Sequence, residues 1–165
     1  MRRRYVRIII GMVAGLVLLL VPQIVAKEAD ATTSATPEIE YQEGVYTKEV
    51  DNMLIASIRY KGTYEEMGTY FEKLMPVVGK IITGYTFALY HDDGTGEVHD
   101  IEVCAAVSDS VTTEEISTRM LSGGSMLALN HFGSYDNLAE SWEELYTYIA
   151  ENKFKTTMPV REVYQ

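Results

Sequence analysis

The chain has 165 residues, carries a formal charge of −10 with a pI near 4.7, and contains one cysteine. An acidic chain of this length has room for one ordinary domain, repels nucleic acid, and has no internal disulfide to staple its fold. Stability must come from packing.

Arg2, Arg3, Arg4 and Arg7 make residues 1–7 a basic end, and Ile8–Ala26 then runs without a charge. At about 1.5 Å per residue such a run just spans a hydrocarbon core of about 30 Å, so residues 8–26 read as a transmembrane anchor. The arginines would hold their end in the cytoplasm and place the rest of the chain outside it. A signal peptide cleaved after Ile24-Val25-Ala26 is the competing reading, which would leave the protein secreted. Both readings stay open here.

Residues 27–42, KEADATTSATPEIEYQ, are small, polar and acidic with no apolar period, and read as a flexible linker. Residues 43–165 form the folded body. It holds 20 acidic against nine basic residues, so it is more acidic than the whole-chain figure suggests and suited to attract cations.

Within the body, Met53–Tyr60 is a β-rich run that stops at Gly62, and a Gly-Thr-Tyr-Glu step then opens a helix from Tyr64 to about Lys80. Pro76 is expected to end or kink that helix near its last turn. Tyr85–Tyr90 and Ile101–Val107 read as strands of a hairpin joined by the His91–Glu97 turn cluster. Residues 112–119 suggest a short helix or loop. Met126–Phe132 is a further strand, Tyr135–Asn152 a helix, and Pro159–Tyr164 a closing strand with Glu162 and Tyr164 on one face.

The second strand and helix repeat the first at an offset of 71. Gly62 falls on Gly133, Thr63 on Ser134, Tyr64 on Tyr135 and Glu65 on Asp136, and the apolar stripe Met67, Phe71, Leu74, Val78 repeats as Leu138, Trp142, Leu145, Ile149. Two halves of this kind pair about a pseudo-two-fold axis and leave a groove between their helices.

Ten of the chain's 12 tyrosines lie between Tyr46 and Tyr164, so aromatic rings should wall the groove. Such walls offer flat apolar area and attract cations through the ring face. Glu162 is the acid to single out, because a carboxylate delivered beneath the helices needs a hydrogen-bond partner, a cation or a raised pKa. The expected ligand-binding set is Glu162, Tyr164, Trp142, Tyr60, Tyr85, Phe87 and His131. His91, His99 and His131 lack an ordered third ligand, so no metal is expected. No dinucleotide fingerprint is present and no cofactor is expected. Cys104, in a strand-like run, reads as a small buried side chain.

Ile58–Glu66, the second Gly133-Ser134-Tyr135 step with its helix, and the closing Arg161-Glu162-Val163-Tyr164 resemble the GyrI-like small-molecule-binding family, found also as the effector-binding half of multidrug-responsive and AraC-type regulators. The resemblance implies an α+β fold, a duplicated strand-helix-strand-strand module with two helices over a curved antiparallel sheet, and between the helices a groove for lipophilic, often cationic, molecules, with an acid near the last strand at the position of Glu162. It also raises a hydrolase acting on reactive lipophilic compounds through Glu162, as in some relatives. A protein-interaction module with a membrane partner is the third alternative. The DNA-binding domain of the regulators has no counterpart ahead of the linker, so direct gene regulation is not expected.

Overall fold

The structure is a computed structural model that describes residues 5–12 and 44–164. Its strands are β1 (Tyr5–Met12), β2 (Val45–Val50), β3 (Met53–Gly62), β4 (Ile82–Tyr90), β5 (His99–Val107), β6 (Ser117–Leu121), β7 (Gly124–Phe132) and β8 (Thr156–Tyr164). Helix α1 (Met67–Val78) follows β3 and helix α2 (Leu138–Glu151) follows β7, each entered through one turn of 3-10 helix. The strands form one sheet in the order β2-β7-β1-β8-β4-β5-β3-β6. Every pairing within it is antiparallel.

That order reads as two halves related by a two-fold axis between β4 and β8. The sequence offset of 71 carries β2, β3 and α1 onto β6, β7 and α2, and the registers agree: Val50 pairs with Gly124 as Leu121 pairs with Met53. At the axis Ala88 faces Glu162, with Tyr90 opposite Val160 and Tyr164 opposite Thr86. Ala88 lies between Val103 of β5 and Glu162, and Glu162 between Ile8 of β1 and Ala88. By register, then, β1 stands in the second half where β5 stands in the first.

Ile8–Met12, read from the sequence as the start of an apolar segment running to Ala26, are strand residues between β7 and β8. Three consecutive isoleucines favour an extended backbone, and β7 and β8 each present an edge whose N–H and C=O groups need partners. Residues 13–26 and the linker 27–42 lie outside the described residues. No helix among the described residues is long and apolar enough to cross a membrane.

The β-rich run Met53–Tyr60 lies within β3, and β2 precedes it; the two strands lie near opposite edges of the sheet yet are joined by only Asp51-Asn52. Ser122-Gly123 joins β6 to β7 in the same manner. Such short links require the sheet to curl until its edges meet. The two connections cross closely: a Cβ on Gly123 would collide with the Val50 carbonyl oxygen, so only glycine fits, and its N–H donates to Asn52 Oδ1 at 2.8 Å. Of residues 112–119, expected to be helix or loop, Ser117–Arg119 belong to β6, because β3 offers them an edge.

Pro76 sits inside α1 without ending it, two residues short of the last helical residue; the N–H it lacks would have met only the carbonyl of Glu72, an exposed residue. Leu74 and Val78 of α1 pack with Ala56, Ile58, Ile101 and Val103. Leu145 of α2 packs with Leu127, Leu129 and Val160. The curled face away from the helices encloses a second core of Ile55, Phe87, Leu89, Cys104 and Leu121. Cys104 is fully buried there, and burial pushes its thiol well above the ordinary value, so it behaves as an inert apolar side chain.

Glu102 is buried on the same face and is the hub of a polar network. It accepts from Ser57 Oγ at 2.6 Å and from Arg119 through both Nη2 (2.6 Å) and Nε (3.2 Å), and His91 Nε2 lies 2.9 Å away. Burial alone would raise its pKa, but the bonds from His91, Arg119 and Ser57 outweigh it and hold the carboxyl at about 2. A depressed folded-state pKa stabilises above the ordinary glutamate value, and that contribution disappears as pH falls towards 2. Glu102→Gln should therefore cost about 1–3 kcal/mol at neutral pH, discounted for the half-exposed Arg119, and the gap from wild type should close in acid. Paired thermal melts at pH 7 and pH 3 check this, and a constant gap would assign the loss to packing.

Candidate ligand-binding site

Between the two helices and the sheet lies a cavity of about 870 Å3, within the range of sites that hold a drug-sized molecule. Most of its wall is built twice, by residues equivalent in the two halves. Tyr64 and Tyr135 enter from the 3-10 turns; Met67 and Leu138, Gly68 and Ala139, Phe71 and Trp142 come from the helices. Thr86 and Val160, with Tyr90 and Tyr164, come from the two axial strands. Small residues at 68 and 139 keep the helices from filling the space they cover.

Local sequence explains the placement. Thr63 N–H donates to Glu66 Oε2 at 2.7 Å, and Ser134 Oγ accepts from Asp136 N–H at 3.2 Å, so each helix entry is capped by its own turn. The capped turns bring Tyr64 and Tyr135 over the groove. On β8, alternation sends Val160, Glu162 and Tyr164 to the helix side while Arg161 and Val163 face the other, where Arg161 Nη2 donates to the Ser122 carbonyl at 2.5 Å.

Three features depart from the twofold pattern: Glu162, whose counterpart is Ala88; Tyr146, which stacks on Trp142 at 5.8 Å between centroids; and Asp92-Asp93-Gly94 from the β4–β5 loop. Glu162 is only 6% exposed. Tyr90 Oη donates to its Oε2 at 3.0 Å, and no salt bridge reaches it among the described residues. Burial raises its pKa above the ordinary value, partly offset by the hydroxyls of Tyr90 and Tyr164. Burial likewise pushes both of those phenols up, so they act as neutral donors and not as bases. Tyr164 Oη also approaches Met67 Sδ at 3.1 Å, and its ring meets Phe71 edge-on at 5.7 Å.

Of the residues expected to bind ligand, Glu162, Tyr164 and Trp142 line the cavity, and Tyr60, Tyr85, Phe87 and His131 lie elsewhere. Tyr60 is buried under α1, stacked on Tyr70 at 3.8 Å, with its hydroxyl donating to the Thr63 carbonyl at 3.3 Å and its pKa raised to about 12 by burial. Phe87 belongs to the core behind the sheet, and Tyr85 is half exposed, because odd positions of β4 point away from Thr86 and Tyr90. His131 is buried between Ser141 Oγ (2.9 Å from Nδ1) and the Ser134 carbonyl (3.0 Å from Nε2), where it fixes the entry to α2. The rings not anticipated, Tyr64, Phe71, Tyr90, Tyr135 and Tyr146, carried one usable signal: four of them repeat at the duplication offset or fall on the alternation of Glu162's neighbours. No group of His, Cys, Asp and Glu able to hold a metal occurs among the described residues.

The fold and cavity define a small-molecule-binding domain of duplicated α+β architecture. The chain belongs to the GyrI-like small-molecule-binding domain family, whose model matches residues 73–165. It is similar to the crystal structure of the EcmrR C-terminal domain, at 19% identity and a TM-score of 0.62, covering 73% of this chain and 94% of that one. It is also similar to the cryo-EM structure of an EcmrR–DNA complex, at 19% identity and a TM-score of 0.61, covering 73% of this chain. There it spans 55% of the other chain's length. At this identity the likeness establishes the fold alone. No curated protein sequence matches the chain.

Proposed function

We propose that the domain binds a lipophilic cation in the groove, with Glu162 as its counter-charge and the tyrosines and Trp142 as its walls. The observation that carries this reading is a carboxylate nine-tenths buried in an aromatic cavity, bonded by a tyrosine hydroxyl and without a cationic partner among the described residues. A buried acid of this kind is held partly neutral by its surroundings, and an arriving cation supplies the charge that lets it ionise. Glu162, Tyr164 and Trp142 are the proposed contacts, joined by Tyr64, Phe71, Tyr90, Tyr135 and Tyr146.

Trp142 is the only tryptophan in the chain and lines the cavity, so its fluorescence reports occupancy directly. Titration with tetraphenylphosphonium should quench or shift it with a micromolar-range midpoint. Affinity should rise with pH through Glu162's elevated pKa, because the protonated acid cannot pair with the cation and binding releases its proton. An unresponsive Trp142, or binding that weakens as pH rises, would remove the reading.

A setting outside the cytoplasm, tethered to a membrane, is proposed on the basic end and apolar composition of residues 1–26 alone. In that setting β1 would have to leave the sheet. Fractionation of the native host decides it: recovery of the full chain in the soluble fraction would reject the tether.

A further inference from the structure

The departures of the cavity wall from twofold symmetry are concentrated at one end. Tyr64 meets Tyr90 edge-on at 5.9 Å, Tyr90 meets Trp142 edge-on at 6.4 Å, and Trp142 stacks on Tyr146 at 5.8 Å, so four cavity-lining rings follow one another around that end. The Asp92-Asp93-Gly94 loop closes the same end. A Cβ built on Gly94 would lie 3.5 Å from Tyr64 Oη, which places the loop against the first ring of the series. At the symmetry-related end, with Tyr135, Tyr164 and Phe71, no such loop lines the cavity among the described residues.

Among the described residues no lysine or arginine lines the cavity, so neither of its acidic regions is neutralised by one. Asp92 accepts from the Gly94 and Asp100 amides and has His99 Nδ1 at 3.5 Å, so its carboxylate is largely used in shaping the loop. Asp93 is different. Its Oδ1 accepts from the Thr95 amide (3.2 Å) and hydroxyl (2.7 Å), which hold its pKa below the ordinary value, while its Oδ2 has no partner among the described residues. An ionised carboxylate with one free oxygen therefore stands at the rim of an aromatic enclosure, and the buried Glu162 stands on the floor beyond Tyr90.

Resting on the proposed cation-binding groove, we propose that this end is a second cation subsite and that the groove's ligand class is a dication, one positive centre at Glu162 and the other among Tyr64, Tyr90, Trp142 and Tyr146 beside Asp93. Aromatic faces with a carboxylate at their edge suit a quaternary ammonium head, which sheds water at lower cost than a primary ammonium and packs against the rings. The cavity of about 870 Å3 exceeds what a single small cation needs.

The test uses the full chain and Trp142 fluorescence with two probes of equal length: a bis-trimethylammonium alkane, and its analogue with one trimethylammonium replaced by a tert-butyl group. The wild type should bind the dication about three- to ten-fold more tightly than the monocation, the range expected of one cation–π enclosure aided by a solvent-screened carboxylate. Asp93→Asn keeps the Oδ1 acceptor and so the turn, and should remove about half of that preference on a logarithmic scale while leaving monocation affinity unchanged. Tyr146→Leu should shrink the preference further. Glu162→Gln should weaken both probes. Equal binding of the two probes by the wild type, or a preference that survives both Asp93→Asn and Tyr146→Leu, overturns the second subsite and leaves the groove intact. Failure of both probes to bind overturns the groove reading itself and the subsite with it.

Discussion

A chain lacking residues 1–12 should fail to melt cooperatively as a monomer. Tyr5–Met12 pairs along its length with β7 on one side and β8 on the other, and its removal exposes two facing strand edges at the middle of the sheet. At a net of about 0.5–1.5 kcal/mol per lost hydrogen bond, such an excision approaches the whole stability of an ordinary domain, about 5–15 kcal/mol. The facing edges also form a template for a strand from another molecule, so the truncated chain should self-associate. Thermal melts and sedimentation of the truncated and full chains measure both effects. A monomeric truncated chain with an unchanged melting temperature would show that β1 is dispensable, as an export segment cleaved after Ala26 would require.

Replacing Glu162 with glutamine should lower affinity for a lipophilic monocation by at least about tenfold while leaving the fold as stable as before or more so. The amide side chain would keep an oxygen to accept from Tyr90 but could not supply a charge. The folded-state pKa of Glu162 is raised, so its favourable contribution to folding is complete below the unfolded value and is lost as pH climbs through the folded one. The variant has no such loss. Its advantage in melting temperature should grow from acid to neutral pH, and the pH dependence of binding should flatten with the loss of affinity. Calorimetric titration and melts across about pH 4–8 follow both, and retained affinity in the variant would take Glu162 out of the site.

Much of this architecture was readable because the signals that carry it are local. The offset of 71 between the two Gly-Ser/Thr-Tyr-acid turns fixed the equivalence of α1 and α2, and the alternation of Pro159–Tyr164 placed Glu162 and Tyr164 on one face. What was not readable needed long-range pairing. The run of isoleucines before Gly11 has the composition of a membrane helix and of a buried central strand alike, and only the gap between β7 and β8 distinguishes them. Tyr85 and Phe87 could not share a wall with Tyr90, since odd and even positions of a strand face opposite ways. Knowing which parity faces the helices required the Ala88–Glu162 register. Tyr60 does face the helices, but α1 lies directly over it and Tyr70 occupies the space above its ring.

The Ala88–Glu162 pair at the axis has a consequence for stoichiometry. A duplicated protein could have carried two equivalent pockets, one per repeat, each with its own acid. Here the repeats share a single chamber that straddles their dyad, and a methyl group stands where a second carboxylate would have repelled the first. Saturation should therefore arrive at one guest per polypeptide, held in one polarity, although the shell around it is nearly the same from either direction.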